Sequence, residues 1–230
     1  MKREKNRGAG FTLLESLVAV ALILIVVGAI FHQMGKAQAS YRVQGQKVDL
    51  TQQQREFIDQ FTRDVRQAGY PGPLTAGLVQ PVSLSDPKIS AGITAISPNS
   101  ITLEGDLDNS GGVQVVTYSF NPSTTFPCPC IQRTVVPKAG GAPNTYIEVQ
   151  DVLAPGPQGI FTPYEANGAA VPGLALTLPA GATTQDTTYG QLQQIKSVRV
   201  TVTLQGKAKE MNGSTPIQVT MTGMARVPND

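Results

Sequence analysis

Residues 11–31 read FTLLESLVAVALILIVVGAIF and follow a ten-residue opening, MKREKNRGAG. As a helix at about 1.5 Å per residue, the stretch is long enough to cross the hydrocarbon core of a bilayer. Its uninterrupted apolar part, Leu17 to Phe31, is shorter and also fits the core of a signal peptide. The opening carries Lys2, Arg3, Lys5 and Arg7 against Glu4. A short basic flank of this kind stays cytoplasmic, which sends the rest of the chain out of the cytoplasm on a single membrane pass. Glu15 breaks the apolar run. A carboxylate there costs several kcal/mol unless it is paired, shallow or protonated.

The rest of the composition narrows the function classes. The chain has 230 residues, which suits one domain with an appendage or two small domains. Charged residues make up only 15% of it, and 23 Gly and 17 Pro point to a turn-rich globular fold. The net charge of +2 arises in the first ten residues, so no basic surface indicates nucleic-acid binding. The one histidine is His32, and none follows residue 70. A Ser-His-Asp triad, a Cys-His pair and a multi-histidine zinc site therefore cannot be built in the C-terminal part, and we expect no enzyme there. A membrane-anchored binding protein or carboxylate-based enzyme stays open as an alternative.

Beyond the apolar stretch the helix is expected to continue. No Pro interrupts residues 11–68. Apolar residues recur at Met34, Ala37, Tyr41 and Val48. Phe57, Ile58, Phe61, Val65 and Ala68 then follow spacings of one helical face. Arg55, Glu56, Asp59, Arg63, Asp64 and Arg66 read as the solvent side, with Asp59 and Arg63 as an i,i+4 pair. Gly69-Tyr70-Pro71-Gly72-Pro73 ends the helix. This predicts one helix of roughly 55 residues; a break near Gly28 or Gly45 is the alternative.

After residue 73 the pattern alternates. Strands are expected at Ser100–Glu104, Val113–Phe120, Ile131–Val136, Tyr146–Leu153, Val198–Leu204 and Ile217–Met224. Gly-, Pro- and Asn-rich breaks separate them at 109–112, 137–144, 155–159 and 178–190. The fold class is α+β: a long N-terminal helix, membrane anchor first and amphipathic second, packed on an antiparallel β-sheet head. The expected division is 1–10 as a leader, 11–69 as the helix with 11–31 transmembrane, and 70–230 as a head packed on residues 38–69.

Gly10-Phe11-Thr12-Leu13-Leu14-Glu15, behind a basic leader and ahead of an apolar run, resembles the processing site of type IV prepilins and type II secretion pseudopilins. The resemblance implies that a prepilin peptidase cuts after Gly10 and that Phe11 becomes the N-methylated N-terminus. It makes Glu15 the fifth mature residue, pairing with the Phe11 amine of a neighbouring subunit. An unpaired buried charge is expensive, so such a pair would set register in a filament core. A competing site, Ala37-Gln38-Ala39, looks like a signal-peptidase motif but leaves Gly10 to Glu15 unexplained.

Asp64-Val65-Arg66-Gln67-Ala68-Gly69-Tyr70 resembles the D-x-R-x-A-G-Y helix end of PilW-type minor pilins and of the pseudopilin J group. The closing stretch, through Arg226 to Asn229, resembles that group loosely. The resemblance implies a minor pilin that primes or caps a type IV pilus, for adhesion, twitching or DNA uptake, with pseudopilin J of a type II secretion system as runner-up. Its implied partners are other pilins and the prepilin peptidase.

Two further motifs carry chemistry of their own. Asp106, Asp108 and Ser110 stand in the D-x-D-x-S-G order of a calcium loop, but Thr117 occupies the place of the bidentate Glu. A hairpin turn between Leu103 and Val113 explains the same residues without Ca2+. Cys128 and Cys130 flank a Pro and would be oxidised outside the cytoplasm. A disulfide between them is expected, with strand geometry setting the Cα atoms near the upper limit of the usual range.

Overall fold

The computed structural model describes residues 12–73, 81–209 and 215–228. Gly10 and Phe11 lie outside the described residues, as does Asn229. Helix α1 runs unbroken over Leu13–Gln67, 55 residues. Gly28, Gly35 and Gly45 all lie within it, and a Cβ added at any of them would meet nothing within 4 Å outside the helix's own backbone. About 1 kcal/mol each is not enough to break a helix whose other residues favour it.

Two antiparallel sheets form the head. The strands of the first are β1 (Ile93–Ser97), β2 (Ser100–Gly105), β3 (Gln114–Asn121), β4 (Cys130–Pro137) and β5 (Asn144–Gln150), a meander closed at one edge by β7 (Leu176–Thr177). Its order is β5-β4-β3-β2-β1-β7. The second sheet holds β6 (Phe161–Glu165), β8 (Ile195–Lys209) and β9 (Pro216–Arg226), in the order β6-β8-β9. A short helix, α2 (Thr187–Gln193), precedes β8.

Four sequence expectations need correction. β6 lies in a stretch given no strand above; it contains Pro163, which the sheet accommodates by keeping β6 at an edge. β1 and β7 are short, and the break assigned to 178–190 contains the start of α2, capped by Asp186 accepting from the Thr188 amide at 2.8 Å. The strand expected to reach Leu153 stops at Gln150, where Asp151 takes a left-handed φ of 56°. Asp59 and Arg63 do not pair; Arg63 donates to Gln60 Oε1 at 2.7 Å.

The core lies where α1 meets both sheets. Phe61 has ring-centroid distances of 5.4 Å to Tyr118 of the first sheet and 5.5 Å to Phe161 of the second. Phe57, one turn earlier, lies 6.0 Å from Tyr118. Each large side chain buried here contributes roughly 1.5–3 kcal/mol, and aromatic pairs at such distances add about 0.5–1.5. Gly223 of β9 makes room for the helix: a Cβ there would meet Ile58 Cγ2 at 2.5 Å. The seam begins at Gln46, whose Oε1 accepts from the Ala208 amide at 2.8 Å, and Leu50 is its first buried residue.

Candidate membrane and assembly segment

The lower part of α1 stands free. Every residue from Thr12 to Ala39 is exposed, and none of the apolar span touches the head. The stretch is long and apolar enough to cross a membrane. A contiguous exposed face of Leu, Ile and Val on this scale has no place in water; it marks a lipid or protein contact.

At the foot of the helix Thr12 and Glu15 form a capping box. Thr12 Oγ1 accepts from the Glu15 amide, and Glu15 Oε2 accepts from the Thr12 amide, each at 3.3 Å. The Thr12 hydroxyl also reaches Glu15 Oε2 at 3.3 Å. Two of the unpaired N–H groups of the first turn are satisfied this way. The carboxylate also sits at the positive end of the helix dipole. Glu15 thus has a role inside its own chain besides any pairing between subunits. The T-x-x-E spacing of this capping box is legible in the sequence.

The helix end that docks on the head is built around a polar group inside the core. Asp64 is only 1% exposed, which corrects its assignment to the solvent side. Its Oδ2 accepts from the Tyr118 hydroxyl at 2.7 Å and from Arg133 Nε at 2.9 Å, and its Oδ1 accepts from Gln60 Nε2 at 2.8 Å. Burial, followed by the Asp64 charge, pushes the Tyr118 hydroxyl well above its ordinary range. Burial works against the Arg133 cation, yet Asp64 and Tyr118 outweigh it and hold the guanidinium above its usual value. Nearby Glu148 is raised by burial, against the opposing pull of Arg133.

The rest of the D-x-R-x-A-G-Y stretch divides in two. Ala68 is buried, and Gly69, at φ 91°, donates its amide to Glu104 O at 2.9 Å. A side chain at that φ would be strained. Arg66 and Tyr70 point to solvent. A second ion pair lies beside this end: Lys138 Nζ donates to Glu104 Oε2 at 2.7 Å and to the carbonyls of Leu84 and Ile89.

The two remaining motifs are placed as follows. Asp106 Oδ2 accepts from the Gly111 amide and Asp108 Oδ1 from the Ser110 amide, both at 3.0 Å. Asp108 Oδ2 accepts from Gln114 Nε2. Hydrogen bonding to Ser110 holds the Asp108 carboxyl below its usual value. The three side chains thus brace the β2–β3 hairpin, and the arrangement fits a turn. Cys128 and Cys130 form a disulfide with Cα atoms 4.4 Å apart. That is the short end of the usual range and below the strand distance given above: the C-x-C segment is a tight loop that enters β4 at Cys130.

A family model described as the prokaryotic N-terminal methylation motif matches residues 5–31. No curated protein and no solved structure matches the chain. The matched segment supports a type IV pilin-like protein. It implies processing by a prepilin peptidase, association with the membrane and assembly with other pilins.

Proposed function

We propose that this chain is a PilW-type minor pilin, a non-enzymatic subunit that primes or caps a type IV pilus. The leader is removed after Gly10, Phe11 is methylated, and the subunit waits in the cytoplasmic membrane with its head outside. The observation that carries the reading is a coincidence. The residues matched by the methylation motif run into the part of α1 that the head leaves bare.

Glu15 gives the segment its selectivity. Its carboxylate is held by Thr12 in the single chain. On assembly it meets the cationic Phe11 amine of a neighbour, and an ion pair replaces two groups that are costly to bury alone. The lone His32 and the absence of any histidine after residue 70 agree with a structural role. The D-x-R-x-A-G-Y helix end supports the PilW subtype and equally the pseudopilin J group, which is the second reading.

Two measurements test this. Mass spectrometry of the mature protein should give N-methyl-Phe at position 11; a start at Ser40, or retention of residues 1–10, would overturn the processing. Deletion of the gene should abolish surface pili. Normal piliation with loss of secreted proteins would assign the chain to a secretion system instead.

A further inference from the structure

Strand β5 is an outer strand of the first sheet. One side of it pairs with β4. On the other side its main-chain N–H and C=O groups have no partner among the described residues. An edge of this kind is a ready template for another strand, and proteins commonly guard it with Lys or Pro. β5 carries neither, and Tyr146 and Ile147 on it are 53% and 41% exposed. It does carry a bulge: the register with β4 shifts between Ile131 and Gln132, which leaves Glu148 as the extra residue. A bulge at a sheet edge re-aims a side chain.

Beside this edge a cleft opens between β5 and α1. Glu56 and Arg63 line its α1 wall, Tyr146 and Glu148 its β5 wall, and Phe57 and Arg133 lie between them. Most of its charged groups are already engaged. Arg133 Nε donates to Asp64 Oδ2 at 2.9 Å, Arg63 donates to Gln60 Oε1 at 2.7 Å, and Glu56 Oε1 accepts from Gln52 Nε2 at 3.0 Å. Glu148 is the exception. It is half-buried and makes no hydrogen bond or ion pair among the described residues. The cation that acts on it is Arg133, and that guanidinium is held by Asp64. The cleft therefore offers a carboxylate without a counter-ion, next to an open row of main-chain donors and acceptors.

That pair of features selects an occupant. The open row is met by an extended main chain, and the carboxylate by a Lys or Arg that the same segment carries. A second copy of β5 fits poorly, because it would bring another unpaired carboxylate to the cleft. We propose that the β5 edge and the cleft beside it form a docking site for an extended segment of another polypeptide, which adds as a further strand and sets a Lys or Arg against Glu148. Only the head enters into this, so the site holds whichever machine the chain serves.

The test uses the full chain in its native cells. The photoreactive residue p-benzoylphenylalanine replaces Tyr146 at the edge or, as a control, Thr222 on the outer face of the second sheet. Cross-linked peptides are sequenced by mass spectrometry. The Tyr146 probe should capture an extended segment of a different protein with a Lys or Arg beside the link, and the Thr222 probe should not. Glu148→Lys should lower the yield about tenfold, and changing the partner's basic residue to Glu should restore it. Glu148→Gln, which keeps the size of the side chain, should lower the yield about threefold, and it decides the matter if Glu148→Lys fails to fold. No product at Tyr146, a link to a helix or to a second copy of this chain, or equal capture by both probes would overturn the site. So would wild-type yield in Glu148→Gln, or a loss in Glu148→Lys that the reciprocal change does not restore.

Discussion

The two ends of one helix obey opposite rules. From Leu50 to Ala68, α1 buries Phe57, Phe61 and Val65 and even encloses a charged residue, Asp64, with three hydrogen-bond donors around it. From Leu13 to Phe31 it shows Leu, Ile and Val to the outside, with Glu15 in its first turn. Composition and context both separate the ends: the upper one adds Arg55, Glu56, Asp59, Arg63 and Arg66 around its apolar stripe, whereas Glu15 is the one charge in the lower. At the upper end the partners are in the same chain. At the lower end they must come from lipid and from other subunits, and that is why the lower end carries the function.

This contrast can be broken from the upper side first. Phe61→Asp, in a soluble fragment beginning near Gln38, should unfold the head. It removes the ring that joins both sheets and leaves a carboxylate without partners, a loss of about 4 kcal/mol or more. A thermal melt followed by circular dichroism reads the effect, and a wild-type melting curve would show that the helix is only a tether.

Asp64→Ala should cost about 3 kcal/mol, because the half-buried Arg133 and the buried Tyr118 hydroxyl lose their acceptor. Replacing Arg133 as well should recover part of the loss, since the stranded cation goes with it. Denaturant unfolding of the single and double variants measures the coupling.

The pH dependence comes from Tyr118. Its hydroxyl is raised above the ordinary value of 10.0, so the folded state keeps a proton that the unfolded chain releases. The stabilisation is complete below pH 10 and is lost as pH rises beyond it toward the folded value. Unfolding free energy should fall steadily above about pH 10. Tyr118→Phe should be less stable at neutral pH yet flatter in that range. Leu24→Ala, in the bare span, should change head stability by less than about 0.5 kcal/mol. A larger shift would mean that the two ends are not independent.

The helix and most strands were legible because their signals are local. An unbroken run without Pro gives α1, and alternation gives β2, β3, β4, β8 and β9. Asp64 was not legible: a charge beside a hydrophobic stripe looks like surface until Tyr118 and Arg133, 54 and 69 residues away, supply its partners. β6 was not legible either: it contains Pro163, whose tolerance depends on an edge position that only the finished sheet defines. The division of the strands into two sheets also depends on pairing across long stretches of chain, as with β6 and β8. At the candidate site, Glu15 was legible from its offset to Gly10, while its bond to Thr12 required noticing the capping-box spacing as well. The docking limit at Gln46 followed from neither, because apolar residues continue below it.

The most direct test of the account is the fate of Glu15→Val. Removing the charge eases membrane insertion, so the protein should be present in membranes and processed at Gly10 like the wild type. It should be strongly depleted from sheared filaments, because the Phe11 amine of its neighbour has lost its partner. Recovery of Glu15→Val in filaments at the wild-type level would contradict the claim that this carboxylate directs assembly.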